Sequence, residues 1–263
     1  MKFQHAQTRR TFLATFGSAT AMTLVACGNS GSGSTEDASS AAGGSADAEK
    51  SDGVMTYAEY MDSEENDKVT IEAYVQGKQS WWEDTASLYL QDADGGYFAY
   101  AVECSEEDYD KLVDGQKVKI EGYKADFSGE IEIADGTFEI EDGNYIAEAV
   151  DVTDKLGTDE LIDYQNQKVS FTEMTVEKSE LDGEEVAYLY NWDGSGEEGD
   201  DLYFNVSKDG ETYSFTVESY LCDKDSDVYK AVQNLSVGDT VDMEGFLYWY
   251  EGANPHITSV TVK

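Results

Sequence analysis

Residues Leu112–Ile133 read LVDGQKVKIEGYKADFSGEIEI, and residues Leu235–Ile257 read LSVGDTVDMEGFLYWYEGANPHI. Both follow Leu-x-x-Gly-x-x-Val-x-Ile/Met-Glu-Gly-aromatic, then a short loop and an alternating strand. The first half tells the chain to leave a helix, turn at a glycine and run as a strand with alternate residues buried. The second glycine permits a sharp bend where a β-branched residue would clash. Two copies of one unit in 263 residues predict two similar small domains.

The surrounding segments extend each copy in the same order. In the first domain a short helix falls near Tyr57–Asp62. Strands follow at Lys68–Gly77, where Val69, Ile71, Ala73 and Val75 alternate with outward residues, at Ser87–Gln91 and at Tyr97–Glu103. Ser105 caps a helix running through Val113, and the last two strands are Gln116–Lys124 and Glu130–Ile140. The second domain has a connecting strand at Tyr145–Thr153 and a short helix at Asp159–Tyr164. Strands then lie at Lys168–Glu177, Asp201–Val206 and Thr212–Tyr220, a helix at about Ser226–Leu235, and strands at Thr240–Trp249 and His256–Val262. An additional hairpin turns at Leu181-Asp182-Gly183 and returns along Val186–Trp192. Domain one thus spans 54–143 and domain two 144–263, joined by a short linker.

Strand, strand, strand, helix, strand, strand is the order of the five-stranded OB-fold barrel. Tyr89-Leu90-Gln91-Asp92, Gly115-x-x-Val118-x-Ile120-x-Gly122 and Gly129-x-Ile131-x-Ile133 resemble bacterial extracytoplasmic OB-fold domains, some of which accompany secreted nucleases. The fold expected is all-β with short helices: two tandem OB-like barrels after a disordered tether. The resemblance names a scaffold and no ligand.

The N-terminal segment gives an address. Lys2, Arg9 and Arg10 precede a modest apolar run, Phe12–Ala26, too short and too rich in Ser, Thr and Gly to span a membrane. Leu24-Val25-Ala26-Cys27 resembles the bacterial lipoprotein lipobox, which implies cleavage before Cys27 and lipidation of its thiol. Thr8-Arg9-Arg10-Thr11-Phe12-Leu13 resembles a twin-arginine signal, with Ala14 where that pattern often has Lys; the pair also suits the positive region of a Sec signal. Residues 28–53 hold no apolar side chain larger than Ala before Val54 and read as a flexible tether. The expected location is the extracytoplasmic face of the cell membrane, reached through the lipid anchor.

Charge bears on partners. The chain carries a formal net charge of −39. Residues 1–26 hold three of its 17 Lys and Arg and no acid, which leaves 14 basic against 56 acidic residues beyond them, a net of −42. Nucleic-acid affinity comes largely from neutralising phosphates, so no nucleic acid is expected as a partner. An uncharged or basic ligand fits this surface better.

The aromatics suggest where such a ligand sits. Trp81 and Trp82 lie between strands one and two of the first barrel, and Trp192 ends the additional hairpin in the same connection of the second. Trp249, with Tyr248 and Tyr250, lies at the loop between strands four and five of the second barrel. In OB folds these loops flank the face that holds oligonucleotides or oligosaccharides. Trp81, Trp82, Tyr89, Phe127, Tyr248, Trp249 and Tyr250 are therefore the candidate ligand-binding residues. Rings at barrel ends also serve as seals, or as an interface between barrels.

Other chemistry is sparse. Asp92-x-Asp94, the run from Asp193 to Asp201, and Asp223-x-Asp225-x-Asp227 invite calcium, but none fits the EF-hand loop and solvated loops explain them better. Cys104 and Cys222 precede the two helices at matching positions, which suits either a disulfide or two buried thiols. Beyond Cys27 the chain has one histidine, His256, too few for a His-based metal cluster. No enzymatic activity, metal or cofactor is expected. The predicted function is non-catalytic binding of an extracytoplasmic glycan, peptide or envelope protein. A structural or assembly role, and single-stranded nucleic-acid binding by OB-fold association, are the alternatives.

Overall fold

The computed structural model describes residues 45–47 and 49–263. The expected export signal, Cys27 and most of the expected tether lie outside them. The described chain is mostly β and forms two closed barrels.

The first barrel begins with helix α1 (Tyr57–Asp62). Thr56 caps it in a reciprocal box with Glu59, satisfying backbone donors at the helix start. Strands β1 (Lys68–Lys78), β2 (Thr85–Gln91) and β3 (Gly96–Glu103) follow, then the short helix α2 (Glu106–Tyr109), capped by Ser105, and strands β4 (Gln116–Phe127) and β5 (Glu130–Asn144). They close in the order β1-β2-β3-β5-β4, with β3 and β5 parallel. This is the OB arrangement.

The second barrel repeats it. Strand β6 (Val150–Asp151) and two 3₁₀ turns, Thr153–Lys155 and Asp159–Tyr164, lead into β7 (Lys168–Glu177). A small hairpin, β8 (Ser179–Leu181) and β9 (Glu184–Val186), is followed by β10 (Leu189–Tyr190), β11 (Leu202–Lys208) and β12 (Glu211–Val217). Helix α3 (Asp227–Gln233) and strands β13 (Thr240–Phe246) and β14 (His256–Val262) complete it. The sheet runs β10-β11-β12-β14-β13-β7-β6, and β11 pairs back onto β7 to close it.

The repeated motif explains both closures. Gly115 and Gly238 take positive φ, +86° and +94°, at the turn that launches β4 and β13. The second glycine of each copy sits at a register shift in the strand. A Cβ on Gly122 would lie 2.7 Å from Ile133 Cγ2, and one on Gly245 would lie 2.2 Å from the His256 carbonyl oxygen. The bend that rolls each sheet shut therefore has no room for a side chain.

Several expectations change. The helix expected to run through Val113 ends at Tyr109, and the strand expected to reach Trp249 ends at Phe246. The return strand Val186–Trp192 is split: β8 and β9 pair with each other, while β10 joins the barrel through Leu189 and Tyr190. The connecting strand Tyr145–Thr153 reduces to Val150–Asp151, and the helix at Asp159–Tyr164 is a 3₁₀ turn. The end of the segment read as a tether is docked. Asp47 N donates to Tyr74 Oη at 3.1 Å, and Lys50 Nζ donates to the Glu72 carbonyl at 2.8 Å and to buried Asp92 Oδ2 at 2.6 Å. A buried carboxylate needs a partner charge, and Lys50 supplies it.

Candidate ligand-binding surface

The face by which an OB barrel usually grips its ligand is, in the first barrel, covered by the second. On the outer side of β2 and β3, Tyr89 and Phe98 are buried against Phe246 and Tyr248. Tyr89 lies flat on Phe246, with ring centroids 4.3 Å apart, and Phe98 meets Tyr248 edge-on at 5.5 Å. Tyr89 Oη pairs with His256 Nδ1 at 2.7 Å, and the His256 ring stacks on Tyr248 at 4.4 Å. His256 is thus an interface residue.

Both flanking loops of that face join the contact. At the β4–β5 turn, Phe127 packs near Tyr250 at 5.9 Å, Glu251 N donates to the Ser128 carbonyl at 2.7 Å, and Gly129 abuts Trp249. At the β1–β2 loop, Ser80 N and Oγ both donate to the Tyr220 carbonyl, at 2.7 and 3.0 Å, and Gln79 Nε2 donates to Glu218 Oε2 at 3.1 Å. Five of the seven candidate residues, Tyr89, Phe127, Tyr248, Trp249 and Tyr250, therefore lie at the junction of the barrels. Tyr89 and Tyr248 are buried, and the other three are half-buried.

Glu130 stands at the centre of this junction, fully buried. Its Oε2 accepts from Trp249 N at 2.8 Å and from Gln165 Nε2 at 3.3 Å, while Oε1 has no hydrogen-bond partner among the described residues. Burial holds its carboxyl well above the usual carboxylate range, and nearby Glu132 adds to the effect. No signal in the strand pattern marks Glu130 as anything but a solvated residue.

The tryptophans of the β1–β2 loop divide. Trp81 packs on the first core and donates from Nε1 to the Cys104 carbonyl at 2.8 Å. Trp82 is 49% exposed. It opens a two-residue turn in which its N–H and carbonyl pair with Thr85, and both turn residues, Glu83 and Asp84, take positive φ. Two left-handed residues suit a type I′ turn, although neither is glycine. In the matching loop of the second barrel Trp192 is 73% exposed.

A path of hydrogen bonds connects the loops that carry the two exposed rings. Asn191 N donates to the Asp201 carbonyl at 2.8 Å, and Asp201 Oδ1 accepts from Ser219 N and Oγ at 2.9 and 2.8 Å. Tyr220 follows and holds Ser80 through its carbonyl, two residues before Trp82. Tyr220 is itself 40% exposed. Burial, then the charges of Asp201, Glu218 and Asp200, raise its hydroxyl pKa.

The acidic loops are structural in their detail. Asp92 accepts from Asp94 N, Gly95 N and Tyr97 Oη. Asp193 accepts from Ser195 N, and Asp223 from Asp225 N. Among the described residues no group of three or more His, Cys, Asp or Glu is arranged to hold a metal. Cys104 and Cys222 are unbridged, and burial pushes their thiols up to about 11 and about 12. A cleft of about 370 Å³ opens on the second barrel between Leu156, Leu161, Tyr213, Phe215, Pro255 and Trp249. Among the described residues no helix is long and apolar enough to cross a membrane.

The sequence matches no described protein family and no curated protein. Solved structures do match. One is a replication protein A heterotrimer bound to single-stranded DNA, at 14% identity and a TM-score of 0.31, covering 75% of this chain and 49% of that one. The chain thus spans about half the length of that protein. Another is the Ifi202 HINa domain with a 20-base-pair DNA duplex, at 11% identity and a TM-score of 0.34, covering 76% and 96%. A third is a murine DNA-binding protein with double-stranded DNA, at 12% and 0.33, covering 75% and 97%. These likenesses concern fold alone. They correct one expectation: several of the matched structures are DNA complexes, so net charge does not remove nucleic acid from the partners open to test.

Proposed function

We propose that this protein is a non-catalytic binding module, held at the extracytoplasmic membrane face through Cys27, with the edge of Trp82, Tyr220 and Trp192 as its contact surface. One observation carries the reading. Trp82 and Trp192 are the exposed tryptophans of the described chain, they occupy corresponding loops of the two barrels, and Tyr220 lies between them in the bonded path. Large aromatic rings kept in water on well-braced loops suit stacking on a ligand. The ligand class is a glycan or a peptide.

Titration of the full-length protein with chito-oligosaccharides and peptides, followed by tryptophan fluorescence, tests this. Saturable changes that vanish in the Trp82→Ala, Trp192→Ala double variant support it. Binding that survives in the double variant overturns the assignment of the edge. Cys27→Ser is expected to release the protein from the membrane fraction.

A second reading shares the surface. OB folds stack single-stranded nucleic acid on loop aromatics, and base stacking tolerates any sequence. The exposed rings of both matching loops favour it. Oligo-dT in the same titration, at two salt concentrations, tests it directly.

A further inference from the structure

We infer that the partner at the Trp82–Tyr220–Trp192 edge is a cationic peptide segment, rich in Arg or Lys; this rests on the edge being the binding surface. The argument is charge complementarity around exposed rings. The three segments that build the edge, residues 79–85, 191–201 and 218–227, hold eleven carboxylates and a single ammonium, Lys224. Glu83, Asp84, Glu197 and Glu198 are exposed beside the two tryptophans in sequence. The additional hairpin and its loop continue the pattern, with no Lys or Arg between Lys178 and Lys208.

The loops present these carboxylates from a rigid base. The loop after Trp192 is pinned by buried Tyr229, whose Oη accepts from Gly199 N at 2.9 Å and donates to the Asp200 carbonyl at 2.7 Å. Glu197 N donates to Asp200 Oδ2 at 3.0 Å, and Glu197 itself is exposed. The Trp82 turn carries Glu83 and Asp84 at its tip. A guanidinium or ammonium placed over an indole face is attracted by the ring quadrupole, and adjacent carboxylates take its N–H donors. The chain already uses this contact within itself: Lys78 Nζ sits 3.8 Å from the centroid of the Tyr109 ring. No Arg occurs beyond Arg10, so the arginine that best fits such an edge has to come from a partner.

The test measures binding of fluorescein-labelled hexa-arginine to the full-length protein by anisotropy at low and physiological salt. Expected results are saturable binding, weakening with salt, and at least tenfold weaker binding in Trp82→Ala, Trp192→Ala and in the triple variant Glu83→Gln, Glu197→Gln, Glu198→Gln. A control triple variant on the first barrel, Glu64→Gln, Glu65→Gln, Glu139→Gln, is expected to bind as the parent does. Equal weakening in both triple variants, or none in the tryptophan variant, makes the effect one of net charge and overturns the proposal. Binding of a chito-oligosaccharide or of oligo-dT without hexa-arginine overturns the cationic partner and keeps the edge. No binding of any of the three overturns both.

Discussion

The ring of Tyr89 in the first barrel lies flat on the ring of Phe246 in the second, 4.3 Å between centroids and 8° between planes. Neither ring belongs to the core of its own barrel; with Phe98 and Tyr248 they form a third apolar cluster between the two. Phe246→Ala is expected to cost about 3–5 kcal/mol, the usual loss for a fully packed aromatic. Tyr89→Phe keeps the stack and loses the hydrogen bond to His256, at about 1 kcal/mol. Urea unfolding of the two variants measures both, and similar losses would mean that the stack contributes little.

At Gly96 the two barrels meet backbone to backbone. A Cβ there would fall 2.3 Å from the backbone carbon of Asn166. Gly96→Ala is expected to push the barrels apart and to destabilise by about 1–3 kcal/mol, as overpacking does. Near-ultraviolet circular dichroism of the interfacial tyrosines is expected to weaken with it. An unchanged spectrum and unchanged stability would contradict the contact.

Glu130 makes stability depend on pH in a known direction. Burial holds its carboxyl well above the ordinary range, whereas in the unfolded chain it titrates near the usual value of about 4.3. The neutral form therefore favours folding. Its contribution is complete below the unfolded value and is lost as pH rises through the folded one. Glu130→Gln keeps an acceptor for Trp249 N and stays neutral. The stability of the variant relative to the parent is expected to grow as pH is raised above about 4.3. A difference flat with pH would mean that Glu130 is ionised in the fold.

Acrylamide should divide the tryptophans. Trp82 and Trp192 are exposed, while Trp81 and Trp249 pack on the two cores. Quenching is expected to be biphasic, with a red-shifted accessible part. Trp82→Phe, Trp192→Phe is expected to remove that part and leave a blue emission. Uniform quenching in the parent would contradict the division.

These contrasts show which features the sequence exposes to reading. The Leu-x-x-Gly-x-x-Val repeat announces both barrels because its glycines meet hard steric demands, positive φ at Gly115 and Gly238 and zero room at Gly122 and Gly245. Strand β7 reads cleanly from Lys168 to Glu177 because its buried positions mostly alternate. The site is harder. Tyr89 sits on a strand buried along nearly its whole length, so period two cannot say which barrel covers its outer face. A tyrosine waiting for a ligand and one pressed on a sister domain have the same spelling. Trp81 and Trp82 are adjacent and alike, and only the turn at Glu83-Asp84 decides which one faces water. Glu130 hides for the opposite reason: a carboxylate between apolar residues looks outward until a second domain closes over it.

The covered face of the first barrel gives the second the role of a resident guest. It occupies, within one chain, the place that a separate molecule takes on other barrels of this shape. Any event that parted the two would uncover Tyr89, Phe98, Phe246 and Tyr248 together, turning a solvated, highly charged molecule into one with adhesive aromatic faces on both halves. Synthesis sets the same hazard in time. The first barrel is complete at Asn144, but its cover arrives only with Phe246 and Tyr248, about a hundred residues later. Until then the nascent chain carries an open aromatic face, and its dense negative charge is what keeps neighbouring copies at a distance.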